Sequence, residues 1–165
     1  MLETLVSVDE YLHTSYEHDV DYVDGRIEER GMPTREHGEC QARLWLLLQQ
    51  RGLKAFIETR VQTSPTRYRI PDVCAYSKKP AESIFTTAPQ LCVQVLSPDD
   101  QMSRVMDVVG DFLAMGVPVV WILDPVRKKA YAADTSGLLP VTTELRTADC
   151  GIVLSLDEIF AEDEV

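Results

Sequence analysis

Leu91 to Asp100 reads LCVQVLSPDD. A short apolar run carries one amide, Gln94, and then breaks at Ser97-Pro98 into two acids. A run of this length and apolarity, preceded by Pro89, is expected as a buried strand. The amide in its middle is then a buried polar group that needs partners. Downstream, Ser103 to Met115 places Val105, Val108, Val109 and Phe112 at helical spacing and stops at Gly116. Val119 to Leu123, VVWIL, is a second continuous apolar run and reads as a central strand, turned by Asp124-Pro125. KKAYAA, LLPVTT and GIVLSL follow as closing strands, and LDEIFAEDEV as a short acidic helix or tail.

Upstream, Arg69 to Tyr76, RIPDVCAY, predicts one strand with Pro71 at its edge or start, since proline gives no ladder donor. KAFIETRVQT, residues 54 to 63, predicts another. Pro33-Thr34 opens a helix whose apolar positions include Cys40, Leu44, Trp45, Leu47 and Leu48, ended by Gly52. Val20 to Glu29 reads as a hairpin about Asp24-Gly25, a pair that tolerates the positive φ of a tight turn. Ser7 with Glu10 has the form of a capping box for SVDEYLH. No repeat or low-complexity linker interrupts the order. The expectation is one α/β domain over residues 1–165, a mixed sheet flanked by helices.

The 165 residues suffice for one core. Hydrophobic residues make up 45% and charged residues 26%, as in ordinary globular chains. No apolar run approaches the ~20 residues of a membrane span, and the acidic N-terminus lacks the basic region of a secretory signal. Cys40, Cys74, Cys92 and Cys150 show no C-x-x-C spacing. They predict neither zinc cluster nor disulfide framework and point to a reducing, cytoplasmic setting. The net charge of −11 opposes nucleic-acid binding overall. Between Cys40 and Pro80, however, eight Lys/Arg meet only Glu58 and Asp72, a local excess of six positive charges. Either Arg60, Arg67 and Arg69 ring a phosphate-binding cleft, or they pair with hairpin acids such as Glu28 and Glu29.

Six pieces in one order resemble the Uma-type family of restriction endonucleases, within the PD-(D/E)XK superfamily. They are YVDGRIEE, EHGECQARLWLLL, RIPDVCAY, APQLCVQVLSP, MGVPVVWILDP and LSLDEIF. The resemblance implies a restriction-endonuclease-like fold and a magnesium-dependent phosphodiesterase site acting on DNA. In such a site an aspartate and a glutamate hold the metal and a lysine stabilises developing charge. Hard magnesium takes oxygen ligands, and the bound metal activates water. Asp72 matches the aspartate. Gln94 stands where the family has glutamate, keeping an oxygen and losing the charge. Val108 stands where the family has lysine. The expected metal ligands are thus Asp72 and Gln94, in a degenerate site that is inactive or weak.

His37 matches a family histidine, and Glu39 could add a carboxylate from the same helix. Arg104, one turn before Val108, could offer charge but not a proton relay. Asp99 and Asp100 are expected to cap the next helix. If Asp72 faces Gln94 on antiparallel strands, Cys74 faces Cys92, either as packing below the site or as a redox or soft-metal pair. Two other functions stay open: an active magnesium-dependent DNA endonuclease using Asp72, and a non-catalytic protein-interaction module. A two-fold homodimer is expected, with weak DNA binding at most.

Overall fold

The computed structural model describes residues 4–148 and 151–162, so Cys150 and the last residues of the acidic tail lie outside the described residues. Ser7 starts α1 (Val8–His13). Its hydroxyl accepts from the Glu10 N–H, and the Glu10 carboxylate accepts from the Ser7 N–H. β1 (Val20–Val23) and β2 (Arg26–Glu29) form the expected hairpin, with Asp24 at φ 49° and Gly25 at φ 91°. Thr34 caps α2 (Arg35–Gln50), and Gly52 takes φ 90° just beyond it.

The next two expected strands are each broken. Residues 54 to 63 divide into β3 (Lys54–Ile57) and β4 (Val61–Ser64), which belong to different sheets. The break falls at Glu58, whose φ of 47° turns the chain out of the extended region. Arg69 to Tyr76 divides into β5 (Arg67–Arg69) and β6 (Val73–Tyr76). Ile70-Pro71-Asp72 cross between the sheets at a proline that gives no ladder hydrogen bond. Beyond lie β7 (Leu91–Val95), α3 (Met102–Met115), β8 (Val120–Asp124), β9 (Lys129–Asp134), β10 (Gly137–Val141), β11 (Glu144–Arg146), β12 (Val153–Ser155) and α4 (Leu156–Ile159).

Six strands form the main sheet in the order β10-β9-β8-β7-β6-β3. β7 and β8 pair in parallel, joined through α3, and the other neighbours are antiparallel. Both faces are covered, which explains why β7 and β8 are buried along their whole length. Odd-numbered residues of β6, β7 and β8, such as Val73, Val93 and Trp121, pack with Leu44 and Leu48 of α2, Leu145, Leu154 and Ile159. Even-numbered ones, such as Cys74, Cys92 and Ile122, pack with Val105, Val108, Val109 and Phe112 of α3. A second sheet, β2-β1-β5-β4, carries a tyrosine cluster of Tyr11, Tyr22 and Tyr68. Asp72 therefore sits on the connection between two sheets, beside the C-terminal end of β7.

Candidate active site

Cys74 pairs with Cys92 across β6 and β7, the register expected from Asp72 facing Gln94. Asp72 is buried, 4% exposed, and both its oxygens are occupied. Oδ2 accepts from the Val95 N–H at 2.7 Å. Oδ1 accepts from Arg30 Nη2 at 2.9 Å and lies 3.2 Å from His37 Nε2. The peptide is held as well: Gln41 Nε2 donates to Asp72 O at 2.9 Å, and the Asp72 N–H donates to Gln94 Oε1 at 3.4 Å. Burial disfavours protonation of His37, but the hydrogen bond and charge of Asp72 outweigh it and hold the His37 pKa above its ordinary value.

Two spaces meet here. An inner cavity of about 20 Å³, room for a single water or ion, is lined by Arg30, His37, Asp72, Gln94, Asp100 and Arg104 among others. An outer groove of about 300 Å³ shares Arg30, His37 and Asp72 and adds Glu17, Asp19 and Glu58. The segment after β2 packs tightly on the loop after β7. A Cβ at Gly31 would come within 2.3 Å of Asp100 Oδ1, and the Met32 N–H donates to Asp99 Oδ2 at 3.3 Å.

The structure brings Asp72, Gln94, His37 and Arg104 to one cavity. It does not bring Glu39 there. That side chain is about half exposed and pairs with Arg35 at 3.1 Å on the outer face of α2. Val108 is fully buried in the apolar layer under α3. Arg104 reaches Asp21 at 2.8 Å. Asp99 and Asp100 do not cap α3. Asp100 Oδ2 accepts from the Ser97 N–H at 2.7 Å, and the helix starts at Gln101 with no side-chain cap. Asp100, one residue too early to cap, closes its own turn instead, and Asp99 accepts from the Met32 N–H. Cys74 and Cys92 are both free and fully buried, as packing below the site requires.

Sequence reasoning missed Arg30. It follows two glutamates at the end of a hairpin, a context that reads as solvated surface. The adjacent Gly31 was the available signal, because a close backbone approach beside a charged residue brings that residue inward.

Arg60, Arg67 and Arg69 are engaged internally. Arg69, 1% exposed, pairs with Asp21 at 3.2 Å, Glu28 at 2.9 Å and Asp111 at 2.7 Å. Arg67 pairs with Asp24 and Asp111. Arg60 lies 5.9 Å over the Tyr11 ring. Of the two arrangements expected, pairing with hairpin acids holds for Arg69 through Glu28.

Both faces covered, one parallel pair in an otherwise antiparallel sheet, and an aspartate on the crossing that leads into β6 define a mixed α/β protein with a buried acid beside the parallel pair. The chain belongs to the Uma2 family, whose model, described as "Putative restriction endonuclease", matches residues 8–138. It is similar in fold to the crystal structure of a putative nuclease belonging to DUF820 from Anabaena variabilis ATCC 29413. The TM-score is 0.81 at 22% identity, covering 94% of this chain and 98% of that one. No curated protein sequence matches. The restriction-endonuclease-like fold expected from the sequence is thereby shown. Among the described residues no helix is long and apolar enough to cross a membrane.

This kind of family generally uses divalent metal ions. The residues present do not fit one. Among the described residues no group of three His, Cys, Asp or Glu side chains is arranged to hold a metal. The one carboxylate in the expected place already carries a guanidinium, an imidazole and a backbone N–H. A second cation on Oδ1 would meet Arg30 at contact distance, a repulsion that low local polarity strengthens.

Proposed function

We propose that this chain is a nuclease-fold protein whose metal-dependent phosphodiesterase site is degenerate, leaving it inactive or very weak on DNA. The observation that carries this reading is the occupancy of Asp72, whose two oxygens are held by Arg30, His37 and the Val95 N–H. Gln94 supplies no charge to replace it, and Val108 offers no amine and no access to solvent. Arginine does not serve as a proton relay, so Arg104 cannot stand in for the missing amine in that role. Its partner Asp21 further ties it down. The family description and the fold of the Anabaena nuclease support DNA as the polymer to test. A cytoplasmic, two-fold homodimeric protein remains part of the proposal, and a monomer mass by light scattering at micromolar concentration would remove the dimer from it.

The direct test incubates the protein with supercoiled plasmid and single-stranded DNA in magnesium and, separately, manganese. The expected outcome is no cleavage above a buffer control. Robust nicking that disappears in Asp72→Ala would show that the site is intact and the proposal wrong.

A further inference from the structure

Arg30 contacts two acids that come from different parts of the fold. Nη2 is 2.9 Å from Asp72 Oδ1, and Nη1 is 4.0 Å from Glu58 Oε1. The guanidinium is largely withdrawn from water, its side chain being 15% exposed. Features on both sides of the guanidinium accompany this arrangement. Gly31 lets the chain press against Asp100, where a Cβ would clash at 2.3 Å. Glu58 adopts φ 47°, a conformation unfavourable for a residue with a Cβ. From there its N–H donates to Asp72 O at 3.3 Å, which holds Glu58 against the Asp72 peptide. Strain of this kind is retained where surrounding contacts over-determine it.

We propose that Arg30 is the resident cation of this site, standing between Asp72 and Glu58 where a divalent ion would otherwise be drawn. With Arg30 removed, the Asp72 and Glu58 carboxylates that share its guanidinium are left as oxygen donors beside one vacated position. This rests on the degenerate-site reading and extends it, since it names what replaced the metal. Oxygen donors of this kind suit a hard divalent cation such as manganese or magnesium, which completes its shell with water. The guanidinium excludes such an ion by charge and by occupying Oδ1. The outer groove gives the ion an entry, because Glu17, Asp19 and Glu58 line it together with Asp72.

The test titrates Mn²⁺ alone into the full chain by calorimetry and follows the thermal midpoint with and without the ion. The wild type is expected to give no specific heat and no midpoint shift. Arg30→Met, which keeps the apolar stem, is expected to bind at least about tenfold more tightly than wild type and to gain thermal stability with Mn²⁺. Adding Asp72→Asn to it should abolish both effects. Arg30→Lys, which keeps the charge, should stay as blind to Mn²⁺ as the wild type. Should Arg30→Met fail to fold, Arg30→Gln carries the same expectation, its amide still able to donate to Asp72. A folded Met or Gln variant that ignores Mn²⁺ overturns the proposal, as does a wild type that binds as tightly as the variant. Metal-dependent DNA cleavage by the wild type would overturn the degenerate-site reading and, with it, the exclusion of the ion by Arg30. Variants blind to Mn²⁺ would overturn the role of Arg30 and leave the reading standing on Gln94 and Val108.

Discussion

At the level of single residues, Asp72 has the environment of a structural acid. Burying a carboxylate is costly unless charge and hydrogen bonds compensate it, and here all three partners do so. Removing it leaves Arg30 and His37 without their acceptor. Asp72→Ala is therefore expected to lower unfolding stability by about 3 kcal/mol, read by urea denaturation. A change below about 0.5 kcal/mol would mark Asp72 as an acid that the fold does not need. Cys74 and Cys92 make a second case. Burial pushes the Cys74 thiol up to about 12 and the Cys92 thiol well above its usual range. A thiol reacts as its thiolate, so both should resist iodoacetamide at pH 8 in the native protein and label only on unfolding. Mass mapping that finds either labelled within minutes would favour the redox pair instead. Asp72 and Gln94 were legible through the resemblance to the family's P-D and S-P strands, and the strand period of two then carried that pairing to Cys74 and Cys92. Arg30 was not, because its position depends on a contact between segments about seventy residues apart.

Elements with a local chemical signature were legible. The Ser7 capping box, the Asp24-Gly25 turn, the Gly116 helix end at φ 110° and the apolar runs of β7 and β8 each hold their own cause nearby. The two broken strands were not legible. Glutamate is an uncommon residue at positive φ, so nothing in IETR announces that the chain leaves one sheet for another at Glu58. The helix α3 was legible to within a residue, but its cap was not: Asp99 and Asp100 are good caps by type, and both are engaged by Met32 and Ser97. That leaves the N–H groups of the first turn without a side-chain acceptor at Gln101. Gln101→Ser is accordingly expected to stabilise the protein by about 0.5–1 kcal/mol, raising the thermal midpoint by roughly 2–4 °C in calorimetry. An unchanged midpoint would mean that backbone or water already satisfies that turn.

Across the whole molecule, the charge pattern decides what can approach it. The net charge is −11, and fourteen acids follow residue 80 against five basic residues. The arginines that could have offset this field locally are neutralised, Arg69 by three acids and Arg67 by two. Duplex DNA binding is expected to be undetectable by fluorescence anisotropy at physiological salt, and unchanged by Arg60→Ala. A sub-micromolar affinity that falls steeply with salt would show that the phosphate path lies elsewhere on the surface. The sheet order itself was only half legible. Strand types follow from composition, but which strand joins which sheet follows from the crossings at Glu58 and at Ile70-Pro71-Asp72.

The bridge from Arg30 to Asp72 ties the end of the small-sheet hairpin to the crossing that enters the main sheet, and this bears on how such a chain can change over generations. Once an acid has become a fastener between two sheets, mutation at that position is purged for its effect on folding, whether or not any phosphodiester is ever cut. Its persistence in descendants would then record the architecture rather than the chemistry. On the degenerate-site proposal, an inventory that counts surviving acids would score this lineage as an enzyme, whereas the arginine opposite the acid would mark a change of employment.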